Sequence, residues 1–315
     1  MKNLSLRQLK IFVSAARLSS FAKAAEEMHL TAPAISMQMR DLEEDLGIPL
    51  FAKKGRGIAL TSAGEYFLVY ARRVLRSLRE AEDMMAKLKG IETGSLTIGL
   101  VSTAKYFVPQ LLAEFRKDHP GIQVVIQVRN RDQLIKLLRE GEIDIAVMGR
   151  PPRDLDVRAE PFANHPHAFI AAPSHPLTKQ KRIPVGNLDQ EEVLVREAGS
   201  GTRAVMENFF EQHRFRPMST IEMSSNETIK QAVMAGLGIS FTSLHTVGLE
   251  MEHNKLSVLD VEQTPVTRIW HVVNLTGKNL SLPAEAFRYF VLEQGNELMT
   301  AMFPLLTTLM KSYRS

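Results

Sequence analysis

The sequence predicts an α/β protein with an all-α winged part at its N-terminus, and three observations lead there. Apolar residues recur at helical spacing through the first part of the chain, with few breakers before Gly47. One uninterrupted helical pattern then covers residues 62–89 and stops at Gly90 and the polar stretch 92–95. From residue 95 onward short β-branched runs alternate with helical stretches. That alternation implies right-handed crossovers on a mostly parallel sheet. The 315 residues allow two or three domains, and 44% hydrophobic residues supply a core for each.

Composition removes whole classes of function. There is no cysteine, so disulfides, thiolate metal sites and cysteine nucleophiles are excluded. No apolar run approaches the roughly 18 residues that span a bilayer. Residues 1–10 are polar and basic and lack the apolar stretch of a secretory leader. The expectation is a soluble, cytoplasmic protein with no membrane partner. Residues 1–90 carry about 15 Lys and Arg against about 10 Asp and Glu, and the rest of the chain is close to −1. The basic excess therefore lies at the N-terminus, as a solvated face or a nucleic-acid footprint.

Leu6, Leu9, Phe12, Val13 and Ala16 predict the buried stripe of a first helix. Ser20 can cap a second helix, with Lys23 where a full capping box would have Glu or Gln. Its Ala24 and Ala25 are small enough for close helix packing. Leu30 and Thr31 turn the chain. A third helix begins at Thr31 or Ala32, with Pro33 in the first turn, where it is tolerated. Ile35, Met39, Leu42 and Leu46 point inward and leave Ser36, Met37, Gln38 and Arg40 outside. Two helices joined by a tight turn can lay the second in a DNA major groove. The candidate contacts to double-stranded DNA are therefore Thr31, Ala32, Pro33, Ser36, Met37, Gln38 and Arg40. After Gly47, the apolar residues 48–51 and 58–61 flank Lys53, Lys54 and Arg56. That pattern reads as a β-hairpin wing whose basic tip grips phosphates.

The run Leu30, Thr31, Pro33, Ala34, Ile35, Ser36, Gln38, Arg40, Leu42, Glu43, Leu46, Gly47, Leu50 and Phe51 resembles the LysR-type signature. Arg56, Leu60, Thr61 and Gly64 extend the match. The resemblance implies a winged helix-turn-helix over 1–61. Met37 and Ala32 depart from the residues frequent there in the family, so no base preference carries over.

Phe67, Ala71, Val74, Leu78, Ala81, Met85 and Leu88 alternate by four and three residues, a heptad seam. A dimerising helix over 62–90 is expected; a helix packed on its own domain is the alternative. The LysR resemblance implies pairing through this helix, as a homodimer or homotetramer.

From Gly94 the pattern is similar to the type II periplasmic-binding-protein fold that LysR-type regulators use, a two-lobed effector-binding domain over 91–315. Lobe I is expected over 91–164 and 268–299, lobe II over 165–267, and a C-terminal extension over 300–315. Strands are expected at 96–101, 123–128, 143–148 and 193–196, with helices at 109–117, 132–140 and 229–235. Ligands bind beyond the carboxyl ends of such strands. The polar groups that follow them are Ser102 and Thr103, then Arg129 and Asn130 (with Arg131), then Arg150. In lobe II they are Ser200, Thr202 and Arg203, with Asn226 at a further helix start. Residues 199–203 read either as an ordinary strand-to-helix turn or as an anion site, with Arg203 offering a bidentate fork.

Residues 196–203, 226–239 and 270–274 resemble the CbbR group, regulators of Calvin-cycle carbon-fixation operons; a sulfur-metabolism branch is similar. The resemblance implies a transcriptional activator with no cofactor, and RNA polymerase as a further partner. It also implies a small-molecule effector, either a phosphorylated metabolite or an NADPH-like nucleotide. No catalytic and no metal residues are expected. His165, His167 and His175 lie beside prolines and read as turns, and Ser200 has no evident histidine partner. Three other readings stay open: a metabolite-binding protein without a DNA role, a two-lobed enzyme, and an architectural DNA binder. The apolar stripe of residues 302–310 predicts a helix that covers its own domain or meets another subunit.

Overall fold

The computed structural model describes residues 4–54, 57–88 and 94–312, and among these all side chains except those of 80, 82–88, 311 and 312. The chain forms two compact units, Met1–Ile91 and Glu92–Ser315.

In the first unit α1 (Leu6–Leu18), α2 (Phe21–Glu27) and α3 (Ala32–Leu46) precede a hairpin of β1 (Phe51–Lys54) and β2 (Gly57–Leu60), and α4 (Ser62–Leu88) follows. The three short helices start where hydroxyls can cap them. Ser5, Ser20 and Thr31 accept from the amides of Gln8, Lys23 and Ala34. Gly47 ends α3 in the left-handed conformation. The core gathers Leu9, Ile11, Phe12, Ile35, Met39, Leu42 and Leu50. The stripe of α1 is rotated from the expected one, because Ile11 and Ala15 are buried while Leu6 is exposed. Glu43 on α3 accepts the amides of Leu50 and Phe51, at 2.6 and 2.9 Å, and so ties the hairpin to the helix. Gly64 has no room for a side chain: a Cβ there would lie 2.1 Å from the carbonyl oxygen of Leu50.

The second unit opens with β3 (Gly94–Val101), α5 (Val108–Asp118), β4 (Ile122–Arg129), α6 (Arg131–Glu140) and β5 (Ile145–Met148). The long β6 (Val157–Ala171) leads to β7 (Glu192–Arg196), α7 (Gly201–Gln212), β8 (Ser219–Met223), α8 (Asn226–Met234) and β9 (Ile239–Ser243). Then come α9 (Gly248–Glu252), β10 (Ser257–Val258), β11 (Val266–Leu275), α10 (Leu282–Met302) and α11 (Pro304–Ser312). The sheet order is β4-β3-β5-β11-β6-β9-β7-β8, with β10 on β6.

Two lobes share this sheet through β6 and β11. Val157 to His167 pair antiparallel with β11, and from His167 to Ile170 β6 pairs with β9. One apolar core surrounds β3, β5, α5, α6 and α10, and others flank β7 and β9. The histidine–proline segment expected to turn is instead the middle of β6. Pro161 and Pro166 precede the point where β9 joins, on a stretch with one open edge, where a residue lacking an N–H is tolerated. His175 does sit at a turn, capping the short helical turn Pro176–Lys179. Phe303 touches the cores of both lobes, and Leu306, Leu309 and Met310 of α11 pack on lobe II. The described part of the C-terminal extension thus covers its own domain.

Candidate functional site

In the first unit, the turn between α2 and α3 holds the second helix outward. Thr31, Pro33, Ser36, Met37 and Arg40 are exposed along α3, and Ala32 and Gln38 are half-buried. Met37 is 59% exposed, so an apolar side chain stands in the middle of this polar face. Lys53 and Lys54 are exposed on β1, and Arg56 lies outside the described residues. Ser14 and Arg17 on α1 both donate to Glu27 on α2. The Arg17 bond holds the Glu27 carboxyl below its ordinary range, Ser14 adds to that, and partial burial opposes it.

The heptad seam is only partly available on α4. Ala71 is buried and Phe67 half-buried in the unit's own core, the ring of Phe67 5.1 Å from that of Phe12. Val74 and Ala81 are exposed and Leu78 is half-buried. The side chains of Met85 and Leu88 lie outside those described. Among the described residues, the large apolar side chains of α4 left facing out are Tyr66, Val69, Tyr70 and Val74, so the outward stripe is turned from the expected one.

In the second unit a narrow cleft opens between the lobes. Ser102, Thr103, Asn130, Arg150, Ser200 and Thr202 line it, together with Arg131, His165, His167 and Arg268. These groups come from the end of β3, the start of α6, the end of β5, the crossing strands and the start of α7. Cations therefore meet hydroxyls and a helix N-terminus.

The helices α5 and α9 begin at apolar residues that cannot cap; among the described α-helices with a hydroxyl or amide residue at the N-cap, α7 stands apart. Ser200 occupies its N-cap position, yet its side chain makes no cap bond. The N-caps of α1, α2, α3, α6, α8 and α10 all bond through their side chains. Ser200 and Thr202 are each 5% exposed and line the cleft. The first amides of a helix carry a partial positive charge. An anion could accept from these amides and from both hydroxyls.

Three expected ligands sit elsewhere. Arg203 does not line the cleft, because its guanidinium bonds Glu207 at 2.7 Å, Glu222 at 2.9 Å and the carbonyl of Arg196 at 2.8 Å. Those carboxylates, Glu207 foremost, raise its pKa. Arg129 is exposed and bonds its neighbour's carbonyl. Asn226 is buried and accepts from Arg196, whose guanidinium also bonds both oxygens of Glu197 and reaches Ser102 of lobe I at 3.1 Å. Arg196 was not among the candidates; it ties the lobes together beside the cleft.

Arg131, expected beside Arg129 and Asn130 after a strand, does line the cleft. His165, His167 and Arg268 were missed as ligands, because all three lie within strands and not after them. The usable signal was the spacing of His165 and His167, which places both on one face of a strand. Arg131 is held by the carbonyls of Arg150 and Pro151, and burial lowers its pKa. His165 stacks on Trp270 with ring centres 3.7 Å apart and bonds Ser243 at 2.9 Å. Gly149 lets the ring sit there, since a Cβ would come within 2.6 Å of its Nδ1. Burial pushes the pKa of His165 well down, that of His167 to about 4 and that of His245 to about 3. No group of three or more ligating side chains suited to a metal ion occurs among the described residues. No helix among them is long and apolar enough to cross a membrane.

A capped tri-helical unit with a wing, followed by a two-lobed α/β domain, defines a class, and the chain belongs to the LysR family. The family models "Bacterial regulatory helix-turn-helix protein, lysR family" and "LysR substrate binding domain" match residues 6–65 and 89–296. The chain is 48% identical to the HTH-type transcriptional regulator CfxR of Cupriavidus necator, over 95% of this chain and 94% of that protein. It is 44% identical to the RuBisCO operon transcriptional regulator of Allochromatium vinosum, over 93% of this chain and 97% of that protein. Among solved structures it is similar to the CcmR regulatory domain of Synechocystis PCC6803 in complex with 2-PG. That match has 38% identity and a TM-score of 0.61, covering 64% of this chain and 98% of the other.

Proposed function

We propose that this LysR-family protein activates carbon-fixation genes when an anionic, phosphorylated metabolite occupies the interlobe cleft. The DNA-reading part covers 1–61, the dimerising helix 62–90 and the effector domain 91–315. The protein works in the cytoplasm as a homodimer or homotetramer, with α3 in the major groove and Lys53 and Lys54 on phosphates. RNA polymerase is the partner through which it would activate. The relatives named for the RuBisCO operon support the choice of pathway. A relative solved with 2-PG supports a small ligand in this domain.

The observation that carries the cleft reading is the start of α7, where Ser200 stands at the N-cap without a side-chain cap bond and lines the cleft with Thr202. A ligand must bind the two lobe arrangements with different affinity to change what the DNA-bound protein does. The test is a footprint on the DNA upstream of a carbon-fixation operon, with and without 2-PG and a panel of sugar phosphates and nucleotides. A ligand-dependent change in the protected region is expected. In Thr202→Val, loss of one charge-assisted hydrogen bond, about 1.5–3 kcal/mol, should raise the half-maximal ligand concentration roughly ten- to hundredfold. A footprint no ligand alters would overturn the effector reading, and failure to bind any duplex in dilute salt would overturn the whole.

A further inference from the structure

The floor of the cleft holds a pair of imidazoles that the anion-site reading does not use. His165 and His167 lie on the same face of β6, with ring centres 4.1 Å apart, and both line the cleft. They are 4% and 1% exposed. The hydrogen bonds of His167, not those of His165, favour a protonated ring. A backbone carbonyl can only accept, so the Nδ1 of His167, 3.1 Å from the carbonyl of His165, carries the proton. A second backbone hydrogen bond, to Val266, also favours the protonated ring. The Nδ1 of His165 is buried and has no partner.

What opposes protonation is burial first and positive charge second. The charge acting on the two rings is Arg268 on β11; His245 in the turn after β9 and the neighbouring ring add repulsion only when they are themselves protonated. The other charged groups lining the cleft are Arg131 at the start of α6 and Arg150 after β5. From β9, Ser243 and Phe241 contact the pair, and from β11, Trp270 does. All the charged lining groups are thus of one sign, and an anion in the cleft would reverse the local balance.

We propose that His165 and His167 determine the charge specificity of the effector cleft, by taking one proton from solvent when an anion enters. The inference rests on the cleft being the effector site. The empty cleft keeps the pair neutral and avoids piling further positive charge beside Arg268. Ligand supplies the negative charge, and the proton completes the match, with the Nδ1–H of His167 already held by the carbonyl of His165. Doubly charged anions gain most. Affinity is highest in mild acid and falls as pH rises through the titration of the liganded pair, by up to about tenfold per pH unit.

Titration calorimetry on the full chain tests this, with 2-PG and with sulfate, which stays dianionic across the range. Runs span about pH 5 to pH 8 in buffers of different ionisation heat. The expected result is uptake of up to about one proton per site for both probes. In His167→Asn and His165→Asn the uptake should fall and the pH dependence flatten. Wild-type binding with no proton uptake overturns the proposal and leaves the cleft reading standing. Undiminished uptake in both variants also overturns it. Absence of binding by either probe at any pH overturns the cleft reading, and the proposal with it.

Discussion

Three imidazoles sit neutral inside the second unit, and each makes folding sensitive to acid. His167 has a pKa of about 4 and His245 of about 3, with His165 also well below the ordinary 6.5. Unfolding returns each ring to the ordinary value, so below pH 6.5 the unfolded chain binds more protons than the folded one. The stability these groups allow is complete above pH 6.5. It falls as pH drops toward 4, by about 1.4 kcal/mol per pH unit for each ring. Urea unfolding followed through Trp270, the only tryptophan, should show a lower midpoint at pH 5 than at pH 7.5. Equal midpoints would contradict the burial of these rings. At this scale the sequence was legible where chemistry is local. Thr31, Ser20 and Gly47 announce their caps because a cap involves only neighbours three or four residues away. Arg203 was misread because the carboxylates of Glu207 and Glu222 that engage it become its neighbours only after folding.

Among the elements, helices were easier to foresee than strand partnerships. The start of α3 at Ala32, the run of α4 and the positions of β3 and β4 all follow from periodicity and breakers. Nothing local says that β6 leaves β11 for β9 at His167, since that depends on strands 70 to 100 residues away in sequence. The same limit misled the reading of α4. A period of 3.5 shows that a stripe exists but not which neighbour covers it, and Phe67 and Ala71 turn out to serve the first unit's own core. For α11 the covering surface is visible. Leu306 is 7% exposed against Ala168, Ile170 and Val247. Leu306→Ala should lower the stability of the second unit by about 2–3 kcal/mol, read as a shift in urea midpoint. An unchanged midpoint would mean that α11 is not docked in solution.

For the whole molecule, the proposed placing of α3 in the major groove and of β1 on the backbone has a consequence for salt dependence. In that placing Lys53 and Lys54, both exposed, would each neutralise one phosphate. Lys53→Ala and Lys54→Ala should each lower the slope of log affinity against log salt by about 1, with similar loss on every duplex. Arg40→Ala should instead weaken some sequences more than others if it reads base edges. Fluorescence anisotropy over a salt series separates the two outcomes, and an unchanged slope in the lysine variants would remove the wing from the DNA contact. The architecture of two lobes was legible because alternating strands and helices admit few arrangements. The residues of the cleft were half legible, since strand ends can be foreseen and strand middles cannot. One consequence lies in those middles. A rod common to both halves cannot let them pivot without flexing along its own length. His165, His167 and Arg268 occupy the stretch that would flex, so under the proposed effector site the side chains that greet a guest would also form the axle, and occupancy would reach the joint with no intervening linkage.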